Sequence, residues 1–125
     1  MAYDIAVKRV YEPAARADGQ RVLIDRVWPR GITKEKAALT LWLKDIAPSA
    51  ELRTWFGHDP ARWDEFRHRY RDELLHRPEL LGELRSLAQH GPVTLVYSAH
   101  DQLHNDAIVL RDVLLGRKTG SSAEA

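Results

Sequence analysis

The chain has 125 residues, 44% of them hydrophobic and 30% charged, enough for one domain that buries a core without staples and far from a disordered composition. It contains no cysteine, which excludes a disulfide framework, a thiolate nucleophile and cysteine-ligated zinc or iron–sulfur sites, and accords with a reducing compartment. A formal net charge of +1 provides no bulk field for nucleic acid, so any functional positive potential has to come from local clustering.

The opening MAYDIAVKRV lacks the apolar run of a signal peptide, and no stretch approaches the ~20 apolar residues of a membrane span, so a cytoplasmic protein without membrane contact is expected. Asp4–Val10 alternates apolar and polar residues and predicts a strand. Tyr11–Gln20, with Pro13, Gly19 and several alanines, predicts a surface loop. Arg21–Val27 carries apolar residues on both faces of the pleat and predicts a central strand, ended by Trp28-Pro29-Arg30-Gly31. Leu39–Ile46 is ambiguous and is read as a strand or extended segment. Ser49 is a good N-cap and Gly57 a good stop, which predicts a helix over Ala50–Phe56. Asp59-Pro60 repeats the start signal, and Trp63, Phe66, Tyr70 and Leu74 then form one helical stripe.

Pro78 opens a further helix that presents Leu80, Leu81, Leu84, Leu87 and Ala88, and Gly91-Pro92 ends it. Val93–Tyr97 is a short apolar run and the second central-strand candidate. Gln102–Leu115 predicts the closing helix, with Asp101 as its N-cap and Gly116 as its C-terminal cap. The expected architecture is a single α/β domain over residues 1–116, a three-layer sandwich with a mostly parallel sheet of about four strands. Residues 117–125 read as a flexible C-terminal tail.

Both apolar strands run straight into polar clusters: Asp25-Arg26-Val27-Trp28-Pro29-Arg30-Gly31 after the first, and Ser98-Ala99-His100-Asp101 after the second. If the two strands are parallel neighbours, both clusters lie at the carboxyl edge of the sheet, where open α/β proteins place their ligands. The N-terminus of the closing helix points to the same region and favours an anion. Strand parity puts Asp25 and Arg26 on opposite faces, so regular strand geometry does not bring both to one ligand. Arg26 or Arg30 can grip a carboxylate or phosphate with a planar fork, or each can close an internal ion pair. Trp28 is the best-placed cleft wall, whereas Trp63 belongs to the helical core stripe.

His100 and His104 stand four apart but lack the glutamate of an HExxH motif, and His100 precedes the helix, so no metal site is expected. Ser98 sits at a strand-to-helix turn without a surrounding GxSxG, and no phosphate-cradling glycine loop or dinucleotide fingerprint occurs, so no cofactor is expected either.

The phrases VLIDRVWPRGITKEKA, LWLKDIAPSAELRTWFGHDPARWDEFRHRYRDEL and VTLVYSAHDQLHNDAIVLRDVL resemble the YeaO-like branch of a bacterial family, domain of unknown function 488. The resemblance runs from about Val7 to Leu115 and implies a small single-domain cytoplasmic α/β protein whose activity is not established. The family's marked positions fall on Asp25, Arg26, Trp28, Pro29, Arg30, Gly31, Lys34, Trp42 and Lys44. They continue on Ser49, Trp55, Phe56, His58, Trp63, Phe66, Tyr70 and Glu73, and end on Ser98, Ala99, Asp101, His104, Asn105 and Ala107. Other branches have a cysteine-rich version of the last motif, so thiol chemistry proposed there does not carry over.

Two readings of function follow. In the first, a small enzyme of hydrolase or transferase type holds an anionic or phosphate-bearing small molecule. Asp25, Arg26, Trp28, Arg30, Trp55, Ser98 and Asn105 bind the ligand, and His58, Asp101 and His104 exchange protons. In the second, the same arginines and tryptophans form a non-catalytic module for nucleic acid or protein, which the small net charge does not favour.

Overall fold

A computed structural model describes residues 3–117. Strands β1 (Ile5–Arg9), β2 (Gln20–Leu23), β3 (Leu41–Trp42) and β4 (Val93–Tyr97) form one sheet in the spatial order β1-β4-β2-β3. Every pairing is parallel, with Arg21 opposite Thr94 and Leu23 opposite Val96. The α/β class expected from the sequence is therefore the one observed. The two apolar segments, β2 and β4, are the central strands, and all five residues of β4 are buried.

Parity decides what each face of the sheet meets. Val22, Ile24, Val93, Leu95 and Tyr97 point to one side, where they join the apolar stripes of four helices. These helices are α2 (Ala50–Phe56), α3 (Trp63–Leu75), α4 (Pro78–Gln89) and α5 (Asp106–Leu114). Tyr70 of α3 is completely buried there because its hydroxyl donates to the Ile46 carbonyl at 2.8 Å, which satisfies the one polar atom of an otherwise apolar ring.

The other face is thinly covered. Its apolar half, Leu23 and Val96, packs with Val10 and with Ala37 of the four-residue helix α1 (Lys34–Ala37), and Trp28, Ile32 and Leu39 close around them. Its polar half is an ion cluster: the Arg21 guanidinium, 3% exposed with its residue, lies 2.6 Å from Asp18, and Lys8 reaches the same carboxylate at 3.1 Å. Arg21 Nε also donates to the Ala37 carbonyl, and the Thr94 hydroxyl to that of Asp18. The third layer of the sandwich thus consists of one short helix, two loops and this cluster.

Several boundaries differ from the sequence reading. Strand β2 ends at Leu23, not Val27, because β3 pairs only with Val22 and Leu23 and the chain then leaves the sheet. Leu39–Ile46 divides into the two-residue β3 and a 3-10 turn over Lys44–Ile46. Helix α1, capped by the Thr33 hydroxyl, falls in a stretch to which the sequence reading assigns no element. The loop before β2 contains a 3-10 turn, Arg16–Asp18. The closing helix starts at Asp106, because Asn105 and not Asp101 is its N-cap, accepting from the Ile108 amide at 3.2 Å. Of the expected tail, Arg117 is held near Asp112 and Arg71, and residues 118–125 lie outside the described residues.

Candidate functional site

The carboxyl ends of β2 and β4 leave the sheet side by side. The Ile24 amide still donates to the Val96 carbonyl, and one step further the Asp25 carboxylate takes over that ladder. Asp25 Oδ2 accepts from the Ser98 amide at 2.9 Å and from the Ser98 hydroxyl at 2.6 Å. The Trp42 indole, donating to the Asp25 carbonyl at 2.7 Å, braces the same segment from the β3 side. The two polar clusters are thereby joined by their own side chains.

Beyond this junction opens a cleft of about 580 Å³. Its polar wall carries Asp25, Arg26, Arg53, His58, Asp106 and the 98–105 turn, and its apolar wall is made by Phe56 and Phe66. Asp25 and Arg26 share this cleft, against the parity expectation, because neither is in a strand once β2 has ended at Leu23. Arg26 leans toward the carbonyls of Ala47 and Pro48 at 3.4 and 3.5 Å.

The carboxyls are the unusual feature of the cleft. Burial pushes the Asp25 carboxyl up, against the downward pull of the Ser98 hydroxyl and amide and of Arg53 and His58. Burial, and then the neighbouring Asp25, pushes Asp106 well above the ordinary carboxylate range. Two such groups repel as anions, so they titrate as a pair and retain a proton more readily than isolated aspartates. Asp106 is also the first residue of α5, so the chain itself supplies an acidic group at the helix N-terminus.

The 101–105 turn is internally bonded. Asp101 accepts from the amides of Leu103 and His104 and from His104 Nδ1 at 2.9 Å, and the Leu103 amide above all, with His104, holds its carboxyl below the usual range. The His104 ring stands edge-on to Trp63 at 5.2 Å. Asn105, almost fully buried, donates to the Asp101 carbonyl while capping α5. Across the cleft, His58 adopts φ +57° directly after Gly57 at +53°, the left-handed region uncommon outside glycine, though histidine tolerates it better than most side chains.

The remaining predicted residues lie elsewhere. Trp28 and Arg30 line a second, more open hollow of about 700 Å³, together with Arg9, Tyr11 and Pro29; it adjoins the first through Val27, Ser98 and His100. Arg26 and Arg30 therefore face separate hollows. Trp55 lines neither of them: its ring lies under Arg69 at 4.4 Å and Arg62 at 5.3 Å, on the outer surface of α2 and α3. Among the described residues, no three or more His, Cys, Asp or Glu side chains gather as a metal site would require. None of the helices there is long and apolar enough to cross a membrane.

A family model described as the inactive DUF488-N3 subclade matches residues 4–124. The chain belongs to the DUF488 family. Two uncharacterized proteins illustrate its relatives in this family. Rv3073c of Mycobacterium tuberculosis is 47% identical over 113 residues, covering 90% of this chain and 95% of the relative. YeaO of Escherichia coli K12 is 44% identical over 111 residues, covering 89% and 96%. No solved structure matches this DUF488 chain.

Three contributors to the two hollows of this DUF488 protein escape a sequence reading: Arg53, Asp106 and Arg9. Arg53 and Phe56 stand three apart on α2, a spacing that puts both on one helical face, and that signal was present. Asp106 is masked in the sequence because Asp101 competes with Asn105 as a cap and moves the expected helix start upstream. Arg9 ends an edge strand and joins the site only through the β1–β4 pairing.

Proposed function

We propose that the protein binds a small phosphate-bearing or otherwise anionic molecule at the carboxyl edge of its sheet and releases it unchanged. The observation that carries this reading is the convergence of the β2 and β4 ends on one cleft, where Arg26, Arg53 and His58 stand around a partly apolar space of ligand size. Binding without turnover agrees with the description of the matching subclade as inactive. It also agrees with the hydrogen bonds among the described residues: the Ser98 hydroxyl donates to Asp25 and not to an imidazole, so Ser98 is not paired with a histidine base.

The test is a thermal-shift and calorimetric screen of the full chain against phosphate esters, carboxylates and oligonucleotides. A ligand at about 100 times its dissociation constant stabilises by roughly 2.7 kcal/mol, readily seen as a shifted midpoint. Binding should persist between 50 and 200 mM salt and weaken in Arg53→Ala. Oligonucleotide binding that collapses over that salt range would instead favour the nucleic-acid module. Failure of every anion to bind would refute the proposal.

A further inference from the structure

We infer that the second hollow is a phosphate subsite and that the adjoining cleft holds a nitrogen-bearing ring of the same ligand, which makes a nucleoside monophosphate the class that fits both. The inference rests on the proposed binding function and deepens it.

The two hollows differ in charge across the ridge formed by Val27, Ser98 and His100. The second hollow is lined by Arg9, Arg30 and the shared His100 with no carboxylate among its walls, whereas the cleft sets Asp25, Asp101 and Asp106 beside Arg26, Arg53 and His58. The cationic side is preorganised. Arg9 Nε donates to the Ala99 carbonyl at 2.8 Å and Nη2 reaches that of Ser98 at 3.4 Å, while the guanidinium lies 4.9 Å from the Tyr11 ring centre. These contacts hold the fork still and commit neither Nη1 proton, the arrangement that lowers the entropic cost of gripping an oxyanion.

The Tyr11 hydroxyl, in turn, donates to the Arg30 carbonyl at 2.9 Å and pins the loop from which the exposed Arg30 side chain extends. Trp28 completes the wall. Its indole is fixed by a 2.7 Å bond to the Ile32 carbonyl and by edge contact with Trp42. Two guanidinium groups lining one hollow suit a dianionic phosphate better than a single carboxylate.

The cleft offers the complementary half. Asp25, Asp101 and Asp106 line the cleft and offer carboxyl oxygens to the N–H groups of an amino-substituted ring, the edge that a nucleobase presents. Phe56 and Phe66 supply an apolar wall for such a ring. The two spaces, about 580 and 700 Å³ with shared lining, suffice for base, ribose and phosphate.

The experiment titrates the full chain with AMP, GMP, CMP and UMP, the matching nucleosides, and inorganic phosphate. At least one nucleotide should bind at least about tenfold tighter than its nucleoside and than phosphate, the loss expected when a charge-assisted contact is removed. Arg30→Glu, an exposed change whose fold is checked by circular dichroism, should weaken that nucleotide by at least about tenfold and leave nucleoside binding unchanged. Unchanged nucleotide affinity in Arg30→Glu overturns the inference, as does inorganic phosphate binding as tightly as any nucleotide. If nucleotides fail while another anion binds in an Arg53-dependent way, the inference falls and the binding function stands. If no anion binds, both fall.

Discussion

Replacing Ser98 with alanine removes the shorter of the two hydrogen bonds that join the ends of β2 and β4. The lost contact is a hydroxyl donating at 2.6 Å to a carboxylate that is largely withdrawn from water, while the Ser98 amide keeps its own 2.9 Å bond to the same oxygen. A hydrogen bond to a charged partner contributes about 1.5–3 kcal/mol, and alanine leaves almost no void, so a loss near 2 kcal/mol is expected. With an unfolding entropy of about 2.1 cal/mol/K per residue over 125 residues, that corresponds to a midpoint lowered by roughly 7–8 °C. Burial already raises the Asp25 carboxyl, and the Ser98 hydroxyl is the first of the contacts that oppose it. The variant therefore lifts the folded-state value further above the unfolded value of about 3.9. Its deficit relative to the parent is full at neutral pH and shrinks as pH falls through the folded-state value and both states become protonated. Urea unfolding at pH 8 and pH 3.5 measures both quantities. A loss below about 0.5 kcal/mol at pH 8, or a deficit equal at the two pH values, would refute the role given to this bond.

Asp106→Asn should stabilise the protein at pH 8 and do little at pH 4. The folded-state carboxyl is raised by burial and by Asp25, so the parent loses stability as pH rises from the unfolded value toward the folded one, and an amide has no proton to lose; parallel urea titrations showing no pH-dependent difference would contradict this. Asp18→Ala should cost about 3–5 kcal/mol in chemical denaturation, because it strands the buried Arg21 and the half-buried Lys8. In the parent, burial pushes Asp18 up, but the Ala15 amide, Lys8 and Arg21 outweigh it and hold the carboxyl low, so this contribution fades as pH falls below about 4. Gly19→Ala should cost at least about 3 kcal/mol or abolish cooperative unfolding. Gly19 has φ +64°, and a Cβ there would lie 2.2 Å from the Pro92 carbonyl oxygen; a calorimetric midpoint near that of the parent would disprove the clash.

Local signals made most of the fold legible. The Ser49 and Gly57 caps delimit α2, Pro78 begins α4, and the apolar run of β4 has the bounds expected from its composition. What the sequence could not reveal depended on pairing or on competition between similar signals. Val27 looks like strand, yet it is 60% exposed because β3 offers partners only to Val22 and Leu23. Asp101 and Asn105 are both good caps. Asp101 is consumed by the turn amides of Leu103 and His104, so the helix begins four residues later and Asp106 emerges as a cleft residue. The juxtaposition of the two strand ends was inferable from their apolar character, whereas the separation of Arg26 from Arg30 depends on how the chain turns after Ile24.

The same local geometry bears on what the site can do. A hydroxyl attacks a substrate when a base withdraws its proton, and the partner of Ser98 is an aspartate whose carboxyl burial makes reluctant to remain ionised. His104 holds Nδ1 against Asp101, and its ring meets that of Trp63 edge-on. His58 belongs to the opposite wall and is held in a left-handed backbone conformation at the end of α2. Under the proposed binding function, these groups hold the shape of the cleft and offer donors, acceptors and cations to a bound molecule. Attack by Ser98 with a histidine as base would require the hydroxyl to exchange its bond to Asp25 for one to an imidazole, and that exchange gives up the shorter of the two hydrogen bonds that join the β2 and β4 ends.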